Sequence, residues 1–249
     1  MITKFKIFER KNDPEKIQFA EDFWILFLDY CGKNIDDITK TLLSEAYYKF
    51  KIDDTNFIIT IDDILGPLGQ YNDDTKTLTI GFYKQFEQFL GGLEQLDDLK
   101  DYERESISDG IKYILTEPTY NKEITRLHNK VKQTFIHEII HHYDNLKYGK
   151  GYAKSVDKLE DTRSNITNDD EMYKYYYNMP HEIDTHFLTA ISQLLDNHGT
   201  GYGDFNTFFD MFLEYFQPYK ELSDDNKKKI RKRAYSYYAH LDKISPQDH

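Results

Sequence analysis

Two histidines four residues apart, with a glutamate directly after the first, form the segment His137-Glu138-Ile139-Ile140-His141. On an α-helix, residues i and i+4 lie on one face with Cβ atoms about 5–6 Å apart, so both imidazoles can reach one metal ion. Imidazole nitrogens bind Zn²⁺ at about 2.0–2.1 Å, and a bound Zn²⁺ lowers the pKa of its water to about 7. Glu138 lies about 100° round the helix, where it can accept the proton of such a water. The segment therefore predicts two zinc ligands and a general base.

The residues around this segment predict that it lies on a long helix. Between residues 121 and 147, apolar residues recur at spacings of three and four, and neither glycine nor proline interrupts them. The recurring residues are Ile124, Leu127, Val131, Phe135, Ile139 and Leu146. Bulky apolar neighbours of the histidines indicate a buried segment, and buried imidazoles need partners. A metal site explains them better than a polar stripe on a surface helix.

A catalytic zinc site takes three protein ligands and leaves a fourth position to water, so a third ligand must come from elsewhere. The best candidate is Glu182, because Pro180 suits the first position of a helix and places Glu182 in its first turn. The helix dipole there favours an ionised carboxylate. An ordinary acidic first-turn residue is the alternative. The competing ligands are His181, Asp184 and His186 in the same segment and Asp144 on the first helix.

Supporting residues can be predicted by position. A zinc-bound histidine usually gives its second N–H to a carboxylate or carbonyl, and Asp144 and Asp184 are the nearest candidates. Amide hydrolysis also needs a donor for the oxyanion, and Tyr177 precedes the candidate third ligand. The alternatives are a solvated charge for Asp144 and ordinary packing for Tyr177, which is one of 21 tyrosines.

The two segments together resemble the zincin superfamily of metallopeptidases. The His-Glu-x-x-His segment, followed further along by Pro180-His181-Glu182-Ile183-Asp184, is similar to the gluzincin-like arrangement and to small predicted zinc metallopeptidases of bacteria and phages. Upstream, Leu68-Gly69-Gln70-Tyr71, a turn and Thr77-Leu78-Thr79-Ile80 resemble the hairpin that precedes the zinc helix in such proteins. The resemblance implies Glu182 as third ligand and an edge strand that pairs with extended substrate. The metzincin branch is disfavoured, because His142-Tyr143-Asp144-Asn145 follows the second ligand.

Two rival functions remain open. Glu138-x-x-His141 also fits the Glu-x-x-His motif of di-iron and di-manganese carboxylate proteins, but such sites need the motif twice and the sequence has it once. The other rival is a catalytically inactive binding or structural protein that keeps a zincin fold. Metal analysis separates the first rival from a zinc metallopeptidase, and activity assays separate the second.

The remaining patterns predict a helix-rich α+β fold with a small antiparallel sheet and a long active-site helix, as in the zincin family. We expect one domain over residues 1–249, with an N-terminal helix and sheet part over about 1–119 and a zinc-site and C-terminal helical part over about 120–249. Further helices are predicted over residues 13–30, 34–49, 102–115, 204–216 and 225–241, and strands over 1–6, 57–61 and 77–83. Gly32 is expected to end the first helix. Residues 149–170 are predicted to form a loop, which either borders the cleft as a lid or specificity segment or is an ordinary variable surface loop.

The composition of the chain limits the binding partners and the cellular compartment that we expect. A net charge of −12 disfavours general affinity for nucleic acid or an anionic membrane. The basic run at residues 227–233 could bind an acidic partner, but a solvated helix face is the preferred interpretation and we assign the run no function. No apolar stretch reaches the ~20 residues of a transmembrane helix, and no secretory signal opens the sequence. The single cysteine, Cys31, excludes an intrachain disulfide and suits a reducing compartment. We expect a cytoplasmic protein with Zn²⁺ as cofactor and a peptide or protein as substrate, while the oligomeric state stays open.

Overall fold

The computed structural model describes residues 13–62, 69–72, 74–91, 96–116, 122–199 and 201–244. The helices are α1 (Asp13–Glu45), α2 (Tyr83–Leu90), α3 (Asp101–Thr116), α4 (Lys122–Ser164), α5 (Asp169–Tyr177), α6 (Pro180–His198), α7 (Phe205–Tyr215) and α8 (Asp224–Ile244). The strands are β1 (Tyr47–Ile52), β2 (Thr55–Thr60), β3 (Gly69–Asn72) and β4 (Thr77–Gly81). The predicted helix-rich α+β class is confirmed. The strand expected at residues 1–6 lies outside the described residues.

The chain divides into two compact units. The sheet unit is continuous, from Gln18 to Lys147, and holds most of α1, the sheet, α2, α3 and the first part of α4. The helical unit combines residues 13–17 with residues 148–244, and holds the rest of α4 and α5 to α8. The division between the units therefore falls within α4. The single-domain organisation stays a prediction.

The strands of the sheet unit form a mixed sheet in the order β1-β2-β4-β3. β1 pairs with β2, and β3 pairs with β4, in antiparallel fashion. The β3–β4 pair is the hairpin expected before α4, the helix that carries His137 and His141. Leu68 and Asp73 of that predicted hairpin lie outside the described residues. The expectation of a wholly antiparallel sheet is wrong, because β4 returns between β3 and β2 and runs parallel to β2. This order leaves β3 at one edge.

An aromatic core anchors α4 within the sheet unit. Trp24 and Phe27 of α1 and Phe57 of β2 surround Phe135 of α4, with ring centroids 5.1, 4.9 and 6.0 Å from that of Phe135. All four side chains are buried. Burying a phenylalanine stabilises a fold by about 1.5–3 kcal/mol, so α4 is held firmly two residues before His137.

α1 continues through Gly32, where the sequence predicted a break. A fully buried stripe runs along the helix on both sides of this glycine, and it consists of Phe27, Cys31, Ile38 and Leu42. The burial of these side chains outweighs the ~1 kcal/mol that a glycine costs inside a helix. A Cβ at Gly32 would meet nothing within 4 Å.

β1 replaces the end of the helix predicted over residues 34–49. Its side chains alternate between exposed and half-buried, which is the period of a strand and not of a helix. Ala46, with φ of 65°, makes the turn between α1 and β1. The aromatic and β-branched residues of Tyr47–Ile52 favour a strand, and that signal outweighs the helical pattern before it.

α4 passes through Gly149 and ends at Ser164, so the loop predicted over residues 149–170 is wrong. Gly149 has a φ of 59°, a backbone conformation that glycine adopts readily and other residues rarely, and the helix bends there. The following residues include good helix formers and no proline, so the helix resumes. Within this segment only residues 165–168 lie outside α4 and α5. A long cleft-bordering loop is therefore excluded.

α6, α7 and α8 supply the core of the helical unit. Phe187 of α6 packs on Phe212 of α7 with ring centroids 5.2 Å apart, and the Arg233 guanidinium of α8 lies 4.2 Å above the Phe187 ring. Pro180 occupies the first turn of α6 after Met179, as the sequence predicted. Among the described helices, none has an apolar stretch of the length that crossing a bilayer requires.

Candidate metal centre

His137 and His141 bring one ring nitrogen each to the same point beside α4. Their Nε2 atoms are 3.3 Å apart, and the two rings are inclined at 75°. Two ligands of a tetrahedral ion at about 2.0–2.1 Å are about 3.3–3.4 Å from each other, so the separation of the two nitrogens is compatible with a shared zinc ion. Both side chains are half-buried, which leaves an opening for a ligand.

Glu138 lies on the neighbouring face of α4 and contacts the edge strand. The backbone N–H of Tyr71 donates to Glu138 Oε2 over 2.9 Å. A hydrogen bond to an ionised carboxylate is stronger than a neutral one, so this contact orients the carboxylate. The carboxylate of the predicted base is thus held by the edge strand and not left to rotate in solvent.

A stripe of three α4 residues, Thr134, Glu138 and His142, follows β3 at successive helical turns. A Cβ on Gly69 would lie 2.5 Å from Thr134 Cγ2 and 3.5 Å from Glu138 Cγ, so this strand approaches the helix as closely as a glycine allows. Two residues on, the Tyr71 hydroxyl lies 2.7 Å from His142 Nδ1. β3 is therefore held in register along the stripe.

His142 connects this stripe to the middle of the sheet. Its Nε2 lies 2.9 Å from Thr55 Oγ1 of β2, and the side chain is buried. Burial, with a smaller contribution from Lys76, lowers the pKa of His142 to about 4, so the ring is neutral at pH 7. A neutral imidazole donates from one nitrogen and accepts at the other, which matches its two hydroxyl partners. His142 is not among the site residues that the sequence predicts, although its spacing of four from Glu138 is a signal.

The close approach of β3 to α4 predicts that Gly69→Ala destabilises the protein. The added Cβ would lie 2.5 Å from Thr134 Cγ2 and 3.3 Å from the carbonyl oxygen of Thr79. Overpacking of this kind costs about 1–3 kcal/mol of unfolding free energy. Urea denaturation of the variant and the wild type measures the difference.

Gly32→Ala is the matched control for this substitution. Its Cβ meets open space in a helix interior, so stability should rise by about 0.5–1 kcal/mol. Combining Gly69→Ala with Thr134→Ser removes the nearest methyl group and should recover part of the loss. Wild-type stability of the single Gly69→Ala variant would contradict the close packing of β3 on α4.

Glu182 lies in the first turn of α6, in the helical unit, and is buried. His181 Nε2 is 3.4 Å from its Oε1, and His186 Nε2 is 4.0 Å from its Oε2. Two of the competing ligands therefore flank the carboxylate of the preferred one. This turn of α6 presents one carboxylate and two imidazoles together.

Glu160 adds a second carboxylate to this group. One ligand atom each from Glu160, His181 and Glu182 lies within 4.8 Å of the others. Carboxylate and imidazole atoms are common zinc ligands. The helical unit therefore contains a group that could hold a cation by itself, which an experiment must separate from the pair on α4.

Asp184 forms ion pairs with two positively charged side chains. Lys16 Nζ lies 2.6 Å from its Oδ2, and Arg233 Nη2 lies 2.6 Å from its Oδ1, while Arg233 also binds both oxygens of Asp13 at 2.9 Å. Burial alone would raise the pKa of Asp184, but Arg233 and Lys16 outweigh it and lower that pKa. Asp184 is therefore a poorer candidate ligand than Glu182.

Asp144 and Tyr177, the predicted supporting residues, belong to different units. Asp144 is fully buried on α4, three residues after His141. Tyr177 ends α5, and its ring lies 5.6 Å from that of His186. Desolvation raises the pKa of Tyr177, with smaller contributions from neighbouring groups that include Glu182. The phenol thus stays protonated at neutral pH and can donate a hydrogen bond.

Comparison with known proteins identifies no family for this chain. No family model matches the chain. Neither a curated protein nor a solved structure matches it. The candidate function therefore rests on the chemistry of the side chains themselves.

Proposed function

We propose that the chain is a zinc-dependent metallopeptidase with His137 and His141 as ligands and Glu138 as general base. The 3.3 Å separation of the two Nε2 atoms carries this proposal, because it suits a tetrahedral zinc ion. Bound Zn²⁺ would polarise the scissile carbonyl and acidify a water molecule. Glu138 would accept the proton of that water and deliver it to the leaving amine.

Glu182 is the proposed third ligand, as the sequence predicted. Its burial in the first turn of α6 supports the choice, because a rigid mount and a nearby helix N-terminus favour an ionised, well-placed carboxylate. The ion pairs of Asp184 with Lys16 and Arg233 also favour Glu182 over Asp184 as a ligand. His181 and His186 remain the alternatives in the same turn.

The supporting roles follow from the chemistry of two further residues. Tyr177 is the proposed oxyanion donor, and its raised pKa suits a donor that must stay protonated. Asp144 is the proposed partner of a zinc-bound histidine, and its complete burial on α4 suits a carboxylate that orients a ligand. Asp184 instead forms ion pairs with Lys16 and Arg233 in the helical unit, so Asp144 is preferred to it as the partner of a zinc ligand.

Metal analysis of the purified 249-residue chain tests the proposal. We expect one zinc per chain, cleavage of a peptide library by the zinc-loaded protein, and loss of cleavage on chelation with recovery on adding Zn²⁺. His141→Ala should lower zinc affinity by at least ~100-fold, since even partners of ligands contribute 10–100-fold.

Glu160→Gln is the control that separates the two candidate groups. Glu160 belongs to the group of Glu160, His181 and Glu182 in the helical unit and is not a proposed ligand of the α4 site, so its loss should leave zinc affinity close to that of the wild type. Loss of zinc in Glu160→Gln with retention in His141→Ala would contradict the proposal. Two irons per chain would indicate the di-iron alternative, and zinc binding without turnover would indicate a binding or structural protein.

A further inference from the structure

Tyr71 contacts α4 at two places. Its backbone N–H donates to Glu138 Oε2 over 2.9 Å, and its hydroxyl lies 2.7 Å from His142 Nδ1. Glu138 and His142 are four residues apart, so one strand residue spans one full turn of the helix. A residue held at both ends in this way has little freedom to move along α4.

The register of β3 shows where the N–H of Tyr71 points. Tyr71 lies opposite Leu78 of β4, but its N–H bonds to Glu138. In an antiparallel ladder, alternate residues direct their N–H groups away from the neighbouring strand. The N–H of Tyr71 therefore belongs to the outer side of the edge strand, where Glu138 receives it.

The hydroxyl of Tyr71 is anchored through a second residue. His142 bonds to the Tyr71 hydroxyl with one ring nitrogen and to Thr55 Oγ1 with the other. Thr55 and His142 are both buried, and the Tyr71 and His142 rings meet edge to face with centroids 5.1 Å apart. The chain of contacts runs from β2 through α4 to β3 and ends at Glu138.

We propose that Tyr71 is a positioning residue for the general base, acting with His142 and Thr55. The hydroxyl, held by His142, keeps the N–H of Tyr71 on Glu138 Oε2, and this sets the direction of the carboxylate. The inference rests on the proposed function, because Glu138 acts as a base only there. Tyr71 itself needs no contact with the substrate.

Tyr71→Phe tests this role, because it removes the hydroxyl and keeps both the ring and the backbone N–H. The amide proton of residue 71 should exchange about 3- to 10-fold faster in the variant, as expected for the loss of one supporting hydrogen bond. The kcat for peptide hydrolysis should fall by a similar factor, about 3- to 10-fold, with KM and zinc content unchanged. Hydrogen exchange followed by NMR and steady-state kinetics measure the two effects.

Tyr48→Phe is the matched control. It makes the same chemical change on β1, the opposite edge strand, where the hydroxyl contacts Asp37 and Tyr30. Neither the exchange of amide 71 nor kcat should change. Thr55→Val should reproduce part of the Tyr71→Phe effect, and the double variant should show less than the sum, because both act through His142.

The exchange measurement does not depend on turnover. If the wild type cleaves no peptide, the proposed function fails, and the exchange of amide 71 still decides whether the hydroxyl holds this N–H on Glu138. An unchanged exchange rate in Tyr71→Phe overturns the positioning role. Unchanged kcat in an active enzyme, with only a lower melting temperature, overturns it as well.

Discussion

Glu138→Gln should lower kcat for peptide hydrolysis by about 10²- to 10⁴-fold, the contribution of a general base, and leave zinc content at the wild-type value. Glutamine keeps the size of the side chain, and its amide oxygen can still accept from the N–H of Tyr71. It has no basic oxygen that could take a proton from a metal-bound water. Steady-state kinetics on a peptide selected from the library, with elemental analysis of the same sample, measures both quantities.

Glu123→Gln provides the matched control, since it makes the same change at an exposed glutamate in the first turn of the same helix. Its kcat should equal that of the wild type. Equal rates for Glu138→Gln and the wild type would rule out the assigned base. A zinc-bound wild type without any cleavage would instead favour the binding or structural protein.

Asp184→Asn should lower the unfolding free energy by about 3–5 kcal/mol, as the loss of one partner in a buried ion pair does. Asp13, Lys16 and Asp184 are buried and the Arg233 side chain is 13 % exposed, and together they form a cluster with two positive and two negative groups. Removing one carboxylate leaves an excess positive charge inside the helical unit. Chemical denaturation of the wild type and variant gives the difference.

Asp29→Asn is the control for the charge cluster, because Asp29 and Lys33 form an ion pair with 56 % and 71 % exposed side chains. Exposed pairs contribute little, so stability should stay close to that of the wild type. If Asp184→Asn were as harmless as this control, the cluster would not be what holds α1, α6 and α8 together in the helical unit.

The local parts of the fold were predictable from the sequence. The helices at Asp101–Thr116, Phe205–Tyr215 and Asp224–Ile244 follow from apolar spacing, and Pro180 marks the start of α6. The pairing of His137 with His141 is equally local, since the helix alone sets it. Glycines were the main source of error, because Gly32 and Gly149 predict the ends of helices. Packing keeps α1 helical through Gly32, and α4 continues past Gly149 with a bend.

The support of the site could not be predicted in the same way. Glu138 meets Tyr71 across 67 residues of sequence, and Lys16 meets Asp184 across 168. Such contacts depend on strand order and on which helices pack together, which periodicity does not encode. Gly69 in a strand and the spacing of Glu138 and His142 were visible signals, but only the sheet order shows that they face each other.

The helical unit is built from segments that are far apart in the chain, and this affects the order in which the protein folds. Residues 18–147 leave the ribosome as one continuous stretch, so the sheet unit can fold during synthesis. Asp13 and Lys16 emerge before the sheet unit, but Lys16 meets its partner only after Asp184 has been made and Asp13 only after Arg233 has been made. Ribosome stalling before residue 233 should therefore yield a nascent chain with a protease-resistant sheet unit and an open helical unit.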